Sequence, residues 1–221
     1  MTGVHTVYDC LIFEAKVDGS LYVLSRGEWF EVAWDYVKQV EKELSTLKKH
    51  PTLVLPDAKE NEGEGAYNKR AVAEADGSLL LLDTKTVDYG GGYSRIEICD
   101  LLGVDRNLVH VKAKTKSSTL SHLFVQGVVS AQLLRDLRFR SLASVKCGAK
   151  HAALLKMNKF DPSKFQVTFA IITSTHAPLL KALPFLSKQS LANAVRELRL
   201  MGYQVSLNKI SVATAPSTML Q

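Results

Sequence analysis

The stretch from Arg95 to Gln126, RIEICDLLGVDRNLVHVKAKTKSSTLSHLFVQ, changes its hydrophobic period twice, and each change limits what the chain can fold into. Ile96, Ile98 and Leu101 alternate with polar positions, which predicts a half-buried strand ending near Asp100. Gly103-Val104-Asp105-Arg106-Asn107 reads as a turn-rich loop. Leu108 to Lys112 alternates again and predicts a second strand, antiparallel to the first. Ser117 or Ser118 then caps a helix whose apolar stripe is Leu120, Leu123, Phe124, Gly127, Ala131 and Leu134, with Ser118, His122 and Gln126 on the other face.

Residues two apart on a strand point the same way, so His110 and Lys112 are expected on one face. An acid at the end of one strand can hold a divalent cation, and a lysine on the next can orient or polarise a water beside it. Asp100 and Lys112 are the candidates for those roles. Leu79 to Leu82 predicts another strand, ending in Asp83-Thr84-Lys85, so Asp83 competes with Asp100 as the acid, and Asp83 and Glu97 are expected to flank one metal site.

This pattern resembles the restriction-endonuclease-like nuclease core, in which an Asp, a hairpin, Glu/Asp-x-Lys and a helix follow one another. Asp100 matches the Asp and Lys112 the Lys. His110 stands where the pattern has an acid, a position at which some of those families carry Gln. Gln126 matches the helix Gln of the RecB-like branch. The order expected from Tyr67 onward, helix, three strands, helix, strand, helix, strand, contains the order of that core. The resemblance implies an α/β fold with a mixed central sheet and flanking helices, Mg²⁺ held by Asp100, Glu97 and Asp83, and His110 as ligand or general base.

The formal charge is +6, and it is unevenly placed. Lys112, Lys114, Lys116, Arg135, Arg138, Arg140, Lys146 and Lys150 face one acid, Asp136, between 112 and 150. Subtraction from 28 basic and 22 acidic residues leaves 20 against 21 elsewhere. A concentrated basic zone suits a phosphate backbone, although a solvated helix face has the same composition. Lys114, Lys116, Ser118, Ser121, His122, Gln126, Arg135, Arg138 and Arg140 are therefore the candidate nucleic-acid contacts. No apolar run reaches a membrane span, and no secretory signal is expected in Met-Thr-Gly-Val-His. Cys10, Cys99 and Cys147 are far apart and odd in number, which fits reduced thiols in a cytoplasm without structural zinc.

Upstream, Tyr8–Glu14, Leu21–Leu24 and Trp29–Val32 read as strands joined by turns at Asp18-Gly19 and Arg26-Gly27. Trp34, Val37, Val40, Leu44 and Leu47 predict a helix, and the aromatics of this region are expected in the core. Residues 57–66 read as an acidic surface loop, and Gly90-Gly91-Gly92 as a turn. Residues 136–150 carry no assigned element. Phe165–Ile172 predicts a buried strand, Ser187 caps a helix stopped by Gly202, and Tyr203–Ile210 is the last strand. Residues 1–56 are expected to pack as an N-terminal extension on a core of 57–212, with 213–221 as a tail.

Five phrases, YVLSRGEWFEV (22–32), EGAYNKRAV (64–72), IEICDLL (96–102), HVKAKTKSSTLSHLFVQG (110–127) and LPFLSKQSLANAVRELRLMGYQVSL (183–207), are similar to a sporadically distributed prokaryotic family. Its members are longer, so the resemblance is to their C-terminal half. It implies antiviral defence, with a homo-oligomer or a partner protein supplying an N-terminal half. Three readings follow: a metal-dependent nuclease-like hydrolase acting on DNA, a non-catalytic module binding DNA or RNA, and a protein-assembly domain.

Overall fold

The computed structural model describes residues 6–90, 95–114, 117–157 and 159–213, with the side chains of Asp9, Ser117 and Ser118 outside that description. The expectations for Gly91, Gly92, Lys116 and 214–221 fall outside it too. A mixed α/β arrangement is seen. Strands β4 (Leu79–Leu81), β7 (Leu101–Gly103), β8 (Asn107–Ala113), β9 (Gln166–Thr173) and β10 (Gln204–Ser211) form a sheet in the order β10-β9-β8-β7-β4. The β4–β7–β8 part is antiparallel, and β8, β9 and β10 run parallel.

Strand period decides the two cores. Leu108 on β8 and Val167, Phe169 and Ile171 on β9 face helices α3 (Ser117–Leu133) and α7 (Phe185–Leu200). Val109, Val111, Ala170 and Ile172 face the other way, onto Tyr67 and Ala71 of α2 (Glu64–Glu74). Burial on both sides is why β9 reads as a nearly continuous apolar run, and it buries β8 from Asn107 to Val111 although its sequence reads as alternating. The expected stripe of α3 is the buried one, since Leu120, Leu123, Phe124, Ala131 and Leu134 are at most 1% exposed. Each of these Leu and Phe side chains contributes roughly 1.5–3 kcal/mol relative to exposure.

Several expectations change. The Ile96–Leu101 strand is split: β6 (Arg95–Glu97) pairs with β5 (Thr86–Asp88) in a separate hairpin, and β7 starts only at Leu101. Residues 136–155 contain two short helices, α4 (Leu137–Ser144) and α5 (Ala149–Leu155). Asp136 caps α4 by accepting Phe139 N–H at 2.9 Å. The acidic loop is anchored, because Arg70 donates to both oxygens of Glu62 at 2.8 and 2.7 Å, and its last acidic residue, Glu64, opens α2. Ser187 is no cap; it is fully buried inside α7. That helix begins after Pro184, and its first two amides donate to Glu14 of strand β1 (Phe13–Val17) at 2.8 Å each. A carboxylate brought by another strand replaces the local cap, favoured by the partial positive charge there.

At the N-terminus the expected strand from Tyr8 begins as a 3₁₀ turn, Tyr8–Cys10. β1, β2 (Ser20–Ser25) and β3 (Glu28–Val32) form a meander joined by two-residue turns whose residues all have positive φ: Asp18, Gly19, Arg26 and Gly27. Helix α1 (Trp34–Ser45) packs on α7, with Lys188–Glu41 and Arg196–Glu43 pairs at 2.7 Å. The aromatics here are not core: Phe13, Trp29, Phe30 and Trp34 are 47–60% exposed. Among the described residues no helix is long and apolar enough to cross a membrane.

Helix α3 packs closely on the sheet at Gly127, where an added Cβ would lie 2.6 Å from Phe169 Cε1 and 2.8 Å from its Cζ. Gly127→Ala is expected to destabilise the protein by about 1–3 kcal/mol in urea unfolding, through forced displacement of Phe169.

Candidate functional site

Asp100 sits between β6 and β7, on the backbone that joins the hairpin to the main sheet. Its own amide donates to Val109 at 3.0 Å, and its carbonyl accepts the amides of Leu82 and Asp83 at 2.8 and 3.0 Å. These bonds bring the end of β4 to the start of β7, so the two competing acids meet. The Asp100 side chain turns along β8, where Oδ2 accepts Val111 N–H at 2.6 Å. Burial pushes its carboxyl up to about 7; Asp83, Glu97 and Glu64 add to the rise and the Val111 bond opposes it.

Two residues not anticipated from the sequence complete this group. Glu64 receives Lys112 Nζ at 2.7 Å on one oxygen and Ala113 N–H at 3.0 Å on the other. Asn68 is buried; its Nδ2 donates to Asp83 Oδ2 at 3.2 Å and its Oδ1 has no partner. Positions i and i+4 share a helix face, so Glu64 and Asn68 were detectable as a pair once a helix was assigned to start at Glu64. On the opposite side Gln126 of α3 donates to Glu97 at 2.9 Å. The expected Asp83, Glu97, Asp100, Lys112 and Gln126 therefore lie in one cluster.

His110 does not. It is fully buried, with its ring 6.0 Å from that of Phe169, and Gly127 of α3 lies close beside it. It points the same way off β8 as Lys112, but mid-strand that direction leads into the core. Desolvation lowers its pKa to about 4, so it is a neutral core residue and not a ligand or base at this site. Among the described residues no three His, Cys, Asp or Glu side chains are grouped to hold a metal ion.

The basic candidates separate in the same way. Arg140 is 2% exposed and donates to the carbonyls of Leu134, Arg135, Leu155 and Met157, with Phe160 under its guanidinium. It holds the α3–α4–α5 turns together and is not a surface contact. Ser121 bonds Ser190 at 3.0 Å between α3 and α7. Lys114 Nζ donates to Ala182 O at 2.8 Å. His122, Arg135, Arg138, Lys146 and Lys150 are exposed. Arg138 lies over Tyr89, which also packs edge-on against Phe139. Tyr89 directly follows β5, so it ties basic α4 to the hairpin that carries Glu97.

Residues 2–211 match the family described as "Family of unknown function (DUF6119)". No curated protein and no solved structure matches the chain.

Asp100 makes a signed prediction. Its folded pKa of about 7 exceeds the ordinary 3.8, so its stabilising contribution is complete below about pH 4 and is lost as pH rises through 7. Asp100→Asn keeps an acceptor for Val111 N–H and removes the ionisation. The variant should gain on the order of 4 kcal/mol relative to wild type between pH 4 and pH 8 in urea unfolding. His110 acts in the opposite direction, losing stability as pH falls from 6.5 towards 4, but it is common to both proteins and cancels.

Proposed function

This chain belongs to the DUF6119 family, and we propose that it is a DNA-interacting, nuclease-like protein that uses a divalent cation at Asp100. The observation that carries the proposal is the backbone junction that joins Asp83 to a half-buried Asp100, with Asp100 bound to the Val111 amide and Lys112 bound to Glu64 beside it. The chain order and pairing around it support the reading: α2, the antiparallel β4–β7–β8 meander, α3 and parallel β9 follow the order of a restriction-endonuclease-like core. Exposed Arg138, lying over Tyr89 at the end of β5, supplies charge for a phosphate backbone.

The donor set fits Mg²⁺. It is all oxygen, and Mg²⁺ is held by one or two carboxylates with water and substrate phosphates filling the rest. The unpartnered Oδ1 of buried Asn68 and the raised Asp100 carboxyl are both groups that a cation would satisfy. Asp100 and Asp83 would hold it, and when bound it supplies a water of lowered pKa and neutralises phosphate charge. The residues of the chain do the positioning. Gln126 fixes the Glu97 carboxylate, Glu64 steers the Lys112 ammonium, and Lys112 presents its protons to a water or phosphate oxygen. A role in antiviral defence enters through the sporadic-family resemblance alone.

A second reading, binding without cleavage, is favoured by His110, which occupies the place of the third acid yet is sealed in the core.

Labelled DNA and RNA incubated with Mn²⁺ separate the two. Cleavage that a chelator abolishes, and that Asp100→Ala with Lys112→Ala reduces by at least about 100-fold, is the expected result. Salt-sensitive binding with no cleavage, equal in both proteins, would transfer the site to the binding module. Absence of both would leave protein assembly.

A further inference from the structure

The N-terminal meander exposes an edge that is complementary to itself. β1 pairs with β2 through Phe13↔Leu24, Glu14↔Val23, Ala15↔Tyr22, Lys16↔Leu21 and Val17↔Ser20. The two-residue turn Asp18-Gly19 makes Val17 and Ser20 the hydrogen-bonded closing pair, so bonding to β2 alternates back through Ala15 and Phe13. Glu14 and Lys16 therefore point their N–H and C=O groups away from β2. Among the described residues no strand, bridge or loop amide pairs with that outer edge. Phe13 and Val17 flank it at 58% and 52% exposure.

An unpaired edge with exposed apolar side chains is a template for another strand. Two-fold antiparallel pairing of β1 with itself can be centred on Glu14, Ala15 or Lys16. The first sets Glu14 against Glu14 and the last Lys16 against Lys16, both unfavourable. Centred on Ala15, Glu14 of each copy meets Lys16 of the other as the hydrogen-bonded pairs. Ala15 then meets Ala15, and Phe13 meets Val17, at the closer non-bonded positions. Charge, backbone donors and apolar side chains are all matched in this one register. The other edge, β3, offers no equivalent. Its turn at Arg26-Gly27 leaves Trp29 and Glu31 outward, and no two-fold register gives either an opposite charge.

We propose that β1 is a homodimerisation edge, joining two copies of this chain into a continuous six-stranded antiparallel sheet about a two-fold axis at Ala15. The interaction is isologous, as two-fold symmetry requires. Its small area makes it weak, on the order of micromolar. Because Glu14 also caps α7, the edge is held rigidly to the body of the protein and not carried on a free hairpin.

Sedimentation equilibrium of the full chain, with exposed Cys10 changed to Ser, tests this. A reversible dimer is expected, weakened at least about tenfold by Lys16→Glu, which sets like charges across the axis. Lys16 is exposed, so circular dichroism should show the variant folded. Independently, Ala15→Cys should form an intermolecular disulfide under mild oxidation, because non-bonded antiparallel pairs suit that geometry, whereas Lys16→Cys should not. A monomer up to roughly 100 µM, a dimer indifferent to Lys16→Glu, or equal cross-linking of the two cysteine variants would each overturn the proposal.

Discussion

Strand β8 lies between an antiparallel neighbour and a parallel one, with apolar layers on both faces, and its position governs where every other functional group can be. From Asn107 to Val111 it is buried. Only at Lys112 does it emerge between α2 and the sheet, and there Glu64 takes the lysine and the next amide together. A strand buried along most of its length can present chemistry only at its ends. That geometry separates His110 from Lys112, although the two share a strand face.

The acids around Asp100 are held by backbone as much as by side chains. Asp83 arrives because its amide and that of Leu82 share the Asp100 carbonyl. Glu97 arrives because the β5–β6 hairpin is inserted between β4 and β7, and Gln126 binds it from α3. Burial of Asp100, with a smaller contribution from the neighbouring carboxylates, raises its pKa. Lys112, the cation of this group, is already paired with Glu64. Helix α4 is fastened to the β5–β6 hairpin through Tyr89, which Arg138 and Phe139 both contact.

The N-terminal meander is joined to this body by burial and by one carboxylate. Leu21 packs in the same apolar cluster as α1 and α7, and Glu14 supplies the cap that Pro184 and the buried Ser187 cannot. Phe13 and Trp29 lie on the face turned away from Leu21 and Glu14, and Phe30, next to Trp29 on β3, lies on the other face.

Local pattern alone marked strands β8, β9 and β10, the α3 stripe, the Gly-containing turns and the candidacy of Asp83, Glu97, Asp100 and Lys112, while Gln126 entered by resemblance. Period, turn chemistry and burial on two faces leave direct marks on residue order. Tertiary structure decided the rest. Whether His110 reached the site depended on the proximity of α3 at Gly127, which no strand period records. Arg140 became a core residue because four backbone carbonyls converge on its guanidinium, while Arg138, two positions earlier, remained outside. Glu64 and Asn68 entered the site because α2 packs across the sheet from α3, and sequence spacing along one strand carries no information about a helix on its other face.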